Sequence, residues 1–301
     1  MTQKKYIGSA IRHLASPWQG NIVAAALHEH TVSLWDISTG EQLSEFDTIM
    51  DFGGKRLALS HAESACLTAA YHIHGLACYN TPIGDLRWQR KDLKKIQRLT
   101  LTPDEKFACC CFSSGPGHVI DISTGETILS IRALNNVWFH AQNTFRLYQY
   151  RSYKISVVHQ NDKQAFPIEP ISFSILDVAF NEHYVAITEA GADVRVFDLA
   201  TGQMTMRHKQ PEGHHVLRIS AMPGTVFFHG VQWCFRKGGP KRLIRLSPDA
   251  ATQEVIYDLG GPTFETEFCN GGRCLLTSDG DLIDCRTAKL KRKIKFPQPT
   301  E

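Results

Sequence analysis

The chain has 301 residues, 43% of them hydrophobic and 21% charged, and its 33 Lys plus Arg against 30 Asp plus Glu leave a formal charge of +3. That balance excludes an intrinsically disordered chain, and it argues against a dedicated nucleic-acid binder, which concentrates basic residues on one face. No apolar run approaches the roughly 18 to 20 residues that span a bilayer, and the opening MTQKKYIGSAIRH lacks the apolar stretch of a signal peptide, so the expectation is a cytoplasmic chain without membrane contact.

In chain order, a first strand is expected at Ser9 to Ala15, with Lys4 to Tyr6 available for a short outer pairing. Thr31 to Ile37 (TVSLWDI) is rich in β-branched and aromatic residues and alternates, the Ser-Thr-Gly that follows supplies a tight turn, and Gln42 to Phe46 returns. The clearest full unit follows. Ile96 to Thr102, a turn at Pro103-Asp104-Glu105-Lys106, Phe107 to Phe112, a Gly-Pro-Gly loop, His118 to Ile122, Ser-Thr-Gly, then Glu126 to Ile131 reads as four short strands. No window keeps a period of 3.6 residues, so little helix is expected.

The tetrapeptides Ile37-Ser38-Thr39-Gly40, Ile122-Ser123-Thr124-Gly125 and Leu199-Ala200-Thr201-Gly202 recur, each directly after an Asp (Asp36, Asp121, Asp198), with their glycines 85 and 77 residues apart. If each interval holds two units the period is about 40 residues, the length of a four-stranded propeller blade. Weaker turns fall where this period demands, at Thr81-Pro82-Ile83-Gly84, His159-Gln160-Asn161-Asp162, Leu246-Ser247-Pro248-Asp249 and Cys285-Arg286-Thr287-Ala288. Together they predict an all-β fold, a single seven-bladed β-propeller of four-stranded antiparallel blades near residues 8–47, 55–91, 95–132, 136–169, 174–209, 215–259 and 263–297. With a last strand at Leu290 to Phe296, every blade is drawn from continuous sequence.

On these residues the chain resembles the WD-repeat and related β-propeller families over essentially its whole length. Trp35-Asp36 is the one true WD dipeptide; Phe197-Asp198, Ile120-Asp121 and Ile283-Asp284 look like degenerate versions, and Gly213-His214 resembles the Gly-His that separates blades in the family. The blade carrying Gly213-His214 lacks the matching Asp in its third strand, a departure from the family pattern. The resemblance implies a platform for protein partners, although one architecture hosts many activities. The turn style and the uneven blades look more bacterial than eukaryotic, which suggests a dedicated inhibitor such as a toxin immunity protein, or alternatively a subunit of a larger complex.

In a propeller of strands a to d, the d–a and b–c loops share one face and the Ser-Thr-Gly turns the other. On the first face His28-Glu29-His30 and His72-Ile73-His74 form two His-x-His pairs able to ligate zinc, copper or nickel, the basis of a metal-dependent enzyme as a further alternative. Solvated loop histidines explain the same residues, and no metal or cofactor is expected. Carboxylates such as Glu189, Asp193, Asp279 and Asp281 sit at predicted hairpin tips, but turn chemistry accounts for Asp279-Gly280-Asp281, and no nucleophile elbow, P-loop, dinucleotide fingerprint or zinc-protease motif is present.

The leading expectation is therefore a non-enzymatic module, monomeric on its own, that binds an acidic protein surface. The residues expected to carry that contact are Lys91, Lys94, Tyr150, Arg151, Tyr153, His214, Trp233, Arg236, Lys237 and Arg242, with Arg236 to Arg242 forming a long Gly-rich loop. The lysines of the last strand are expected to protect an edge from pairing with another molecule. Nine cysteines without framework spacing fit reduced thiols; Cys269 and Cys274, with four residues between them, are able to pair under oxidation or clip a metal, though filling core space explains them as well.

Overall fold

The computed structural model describes residues 11–27, 30–49, 56–70, 75–152, 154–159, 164–169, 175–191, 193–234, 241–260 and 265–297. Blade 1 is β1 (His13–Ala15), β2 (Ile22–Ala26), β3 (Thr31–Asp36) and β4 (Glu41–Asp47); blade 2 is β5 (Leu57–Ser60), β6 (Ala65–Ala69), β7 (Leu76–Asn80) and β8 (Leu86–Arg90). Blade 3 is β9 (Ile96–Leu101), β10 (Phe107–Phe112), β11 (Gly117–Asp121) and β12 (Thr127–Ile131); blade 4 is β13 (Leu134–Phe139), β14 (Phe145–Tyr150), β15 (Ile155–His159) and β16 (Gln164–Ile168). Blade 5 is β17 (Ile175–Phe180), β18 (Tyr184–Glu189), β19 (Val194–Asp198) and β20 (Met204–His208). Blade 6 is β21 (His214–Ala221), β22 (Phe228–Cys234), β23 (Arg242–Leu246) and β24 (Gln253–Asp258); blade 7 is β25 (Thr266–Cys269), β26 (Cys274–Thr277), β27 (Asp281–Asp284) and β28 (Lys289–Lys293). Each blade is a four-stranded antiparallel sheet built in sequence order. The innermost strands β1, β5, β9, β13, β17, β21 and β25 each touch the next, and β25 touches β1, so the ring is closed.

The seven-bladed all-β fold read from the repeat is what the chain adopts, with no helix among the described residues. Boundaries move by one to three residues: β13 starts at Leu134 and β21 at His214, ahead of the expected 136 and 215, and β28 stops at Lys293 where a strand to Phe296 was expected. The proposed pairing of Lys4 to Tyr6 lies outside the described residues.

The repeat is legible because one carboxylate organises each strong turn. Asp36 Oδ1 accepts the amides of Ser38 and Thr39 at 2.7 and 3.3 Å, Asp121 those of Ser123 and Thr124 at 2.8 and 3.1 Å, and Asp198 those of Ala200 and Thr201 at 3.0 and 2.8 Å. The glycine that ends each turn has φ of 80°, 77° or 72°, the left-handed region where a Cβ is penalised. Hydrogen bonds from Ser38 and Ser123 hold the carboxyls of Asp36 and Asp121 below the ordinary range, as bonds from Thr201 do for Asp198.

Packing follows the same repeat. The second and third strands are buried on both faces, as in β6 (ACLTA) and β2 (IVAAA), where small side chains let neighbouring blades approach. Outer strands are wet, fully so in β28 (KLKRK). Apolar side chains cluster between blades: Leu34 and Val32 meet Leu57 and Leu59, Leu76 meets Leu99 and Ile120, and Ile187 meets Leu147 and Val157. Blades 7 and 1 close in the same way, with Trp35 packed edge-on against Phe296 at 5.3 Å and Ser16 donating to the Phe268 carbonyl at 2.8 Å. Among the described residues no strand is exchanged between blades, and closure there rests on this packing.

Blade 6 contains an exception to apolar packing. His229 in β22 is fully buried, and neither ring nitrogen has a hydrogen-bond partner among the described residues. Burial, reinforced by nearby Arg245, pushes its pKa down to about 4. The unfolded chain takes up a proton near the ordinary value of about 6.5 and the folded chain does not, so this histidine leaves stability untouched above that pH and lowers it as pH falls toward 4. The expected loss is about 3 kcal/mol across that window. Urea titrations at stepped pH on the parent and on His229→Leu should show a shallower acid loss in the variant; identical slopes would contradict the assignment.

Candidate protein-binding face

The d–a and b–c loops converge on one face. There the structure separates the residues expected from sequence into two groups. Lys91 and Lys94 lie in the loop from β8 to β9, and Tyr150 and Arg151 stand at the end of β14. His214, Trp233 and Arg242 lie on blade 6: His214 pairs with Cys234, His215 with Trp233, and Gln232 with Arg242 across the sheet. Tyr153, Arg236 and Lys237 lie outside the described residues, as do His28, His72 and His74.

The first group grows when the structure is read in space. Two d–a loops and the b–c loop of blade 4 bring Lys91, Lys94, Lys95, Arg132 and Lys154 to this face, all exposed, with half-buried Arg151 and Tyr150 beside them. Among the described loop residues of this sector the acid is Asp92, and Arg90 holds it at 2.7 Å, keeping its carboxyl below the ordinary range. Arg151 is fixed rather than loose, since its guanidinium donates to the carbonyls of Gly115 and Phe112 and its amide to Ala133 at 2.9 Å. Lys95, with φ of 62°, follows Lys94 in the loop from β8 to β9, and Arg132, a lone cation in its own loop, gives no sequence signal.

The blade 6 group is less basic than its sequence suggests. Lys241, inside the Arg236 to Arg242 run, is buried, and burial lowers its pKa. Arg242 is half-buried at the start of β23 and stands opposite Asp258. A basic run in sequence is thus partly consumed inside the fold.

Three of the four carboxylates considered for catalysis are held in ion pairs. Glu189 pairs with Arg195 at 2.7 Å, Asp193 with Arg207 at 2.7 Å, and Asp281 with Lys293 at 2.8 Å. Asp279 has a raised pKa because of its burial. His30, the described member of the histidine pairs, is exposed with φ of 69°, and its carbonyl accepts both the amide and hydroxyl of Thr48 at 2.7 Å. Among the described residues no three His, Cys, Asp or Glu side chains are grouped to hold a metal ion.

The central channel opens on the opposite face, where the a–b turns surround a cavity of about 1050 Å³ bordered by Trp18, Phe139, His140, Asp177, Arg218 and Arg273. Its charges serve the ring. Asp177 accepts the Trp138 indole N–H at 3.2 Å and the Ile219 amide at 3.1 Å, joining blades 4, 5 and 6. Arg218 donates to Glu265 at 2.6 Å and lies 3.7 Å from Glu267. Burial alone pulls the Arg218 pKa down, but Glu267, Glu265 and Asp177 overcome it and hold the charge above that of ordinary arginine. Arg98, over the Trp138 ring at 5.7 Å, is instead lowered by burial.

No family model matches the chain, and no curated protein matches it. Among solved structures it is similar to the crystal structure of the computationally designed Ika8 protein, with a TM-score of 0.62 and 18% identity over 94% of this chain and 86% of that one. That likeness concerns the fold. No helix among the described residues is long and apolar enough to cross a membrane.

Proposed function

We propose that this propeller is a non-enzymatic binding module that receives an acidic protein surface on the d–a and b–c loop face, centred on blades 3 and 4. The observation that carries the reading is the set of loops holding exposed Lys91, Lys94, Lys95, Arg132 and Lys154, whose described residues include one acid, already bonded to Arg90. Rigid blades fix where these loops stand, so their charges are held in place before a partner arrives, and Tyr150 and Arg151 offer the aromatic and guanidinium anchors that dominate interface energetics. A dedicated inhibitor of a toxin is the narrower form of this reading; a complex subunit uses the same surface, and partner identity separates the two.

Charge reversal tests the surface. With a partner recovered from the source cells, the combined Lys94→Glu, Arg132→Glu and Lys154→Glu substitutions should weaken binding at least about tenfold, chiefly through the association rate, and flatten its salt dependence. Lys289→Glu and Lys291→Glu, on the outer strand of blade 7, should change neither. Equal effects of the two sets, or none from the first, would remove blades 3 and 4 from the interface.

A further inference from the structure

Blade 7 carries a chemical feature that partner binding does not use. Cys269 ends β25 and Cys274 opens β26, and the two stand directly opposite each other as the last strand pair before the turn Asn270 to Arg273. Paired residues on antiparallel strands have Cα atoms about 4.5 to 5.5 Å apart, inside the span of about 4.4 to 6.8 Å that a disulfide bridges. The Cys269 sulfur lies 3.6 Å from the Cys274 carbonyl oxygen. The neighbouring Cys269 thiol lowers the pKa of Cys274, helped by Lys291, and Cys274 is the more acidic of the two. Elsewhere burial raises the thiols, as at Cys66, Cys109, Cys110 and Cys285.

The pair sits just beneath the surface. Both sulfurs are buried, but Gly271 and Arg273 of the intervening turn are exposed, and that turn forms part of the cavity rim on the a–b face. It also abuts blade 1, where a Cβ on Gly271 would lie 3.8 Å from the Trp18 carbonyl oxygen.

We infer that Cys269 and Cys274 form a reversible dithiol–disulfide site that exchanges with low-molecular-weight disulfides and, when oxidised, staples the cavity-rim turn of blade 7. The Cys274 thiolate attacks one sulfur of the small disulfide, whose S–S bond breaks and whose other half leaves as a thiolate that takes up a proton. Cys269 then gives up its proton and attacks the Cys274 sulfur of the mixed disulfide, expelling the second small thiol. The protein loses two protons and two electrons, and one small disulfide becomes two thiols. Cys285 lies nearby, with its amide bonded to the Arg273 carbonyl at 2.9 Å, and is the competing partner that the test must separate.

Incubating the reduced full chain with oxidised glutathione, followed by intact mass and peptide mapping, tests this directly. The expected product has lost two hydrogens, contains a Cys269–Cys274 cross-link, and returns to the starting mass with dithiothreitol. In the reduced protein Cys274 should be alkylated about tenfold faster than Cys285 near neutral pH. Cys269→Ser should trap glutathione on Cys274, and Cys285→Ser should leave the cross-link intact. An unchanged mass, a bridge from Cys274 to Cys285, or a glutathione adduct that persists on the unsubstituted chain would overturn the inference.

Discussion

Replacing Glu105 by Ala is expected to cost about 3 to 5 kcal/mol of stability, among the largest single-residue effects outside the apolar core. Glu105 is the third residue of the turn Pro103-Asp104-Glu105-Lys106 and has φ of 56°, a position glycine would occupy without strain. Its side chain offsets that cost. The buried carboxylate accepts the amides of Trp18 at 2.5 Å, His61 at 2.5 Å and Ala62 at 3.1 Å, while its own carbonyl accepts the Ser60 hydroxyl at 2.8 Å. One residue of blade 3 thus ties the a–b turns of blades 1 and 2. Charge-assisted bonds contribute about 1.5 to 3 kcal/mol each, and truncation leaves the amides to find water at the cavity rim, which recovers part of the loss. Glu105→Gly separates the contributions, because it relieves the backbone but keeps no carboxylate. It should fall between the parent and Glu105→Ala in urea denaturation, and a Gly variant as stable as the parent would show that the clasp contributes no more than the backbone strain it offsets.

Glu189→Leu is expected to be about as damaging, at about 3 to 5 kcal/mol, for a different reason. Glu189 and Arg195 face each other at 2.7 Å on blade 5 with side chains 0% and 7% exposed. Arg195 also donates to the Glu169 carbonyl at 2.8 Å and lies over the Phe197 ring at 5.3 Å. Removing the acid strands a guanidinium in a site that water reaches poorly, whereas removing both charges takes the desolvation cost away with the attraction. The double substitution Glu189→Leu with Arg195→Met should therefore be much closer to the parent than Glu189→Leu alone. A double variant as unstable as the sum of the singles would mean that the pair acts as two independent residues.

These two residues also mark where sequence reading ends. The blades were legible because Asp36, Asp121 and Asp198 must sit two and three residues before the amides they cap, a short-range geometry that leaves the same spelling each time. Glu105 spells nothing of the kind: its partners lie 87, 44 and 43 residues earlier, and only the packing of blades 1, 2 and 3 side by side brings them together. The loop face shows the same contrast. The Arg236 to Arg242 run stands out in sequence, yet its Lys241 is buried and its Arg242 faces Asp258. Lys95, Arg132 and Lys154 are unremarkable one at a time and become a basic rim only when three separate loops meet. Local chemistry announces a fold of repeats, while surfaces assembled from several blades emerge from the architecture.

The most direct test of the central claim is tagged purification of the unmodified chain and of the Lys94→Glu, Arg132→Glu, Lys154→Glu variant from the source cells at low salt, with the co-eluting proteins identified and quantified. The expected result is one stoichiometric protein with an acidic surface on the parent, released as salt rises and depleted from the variant. A partner retained equally by both, or one that holds on unchanged at high salt, would contradict it.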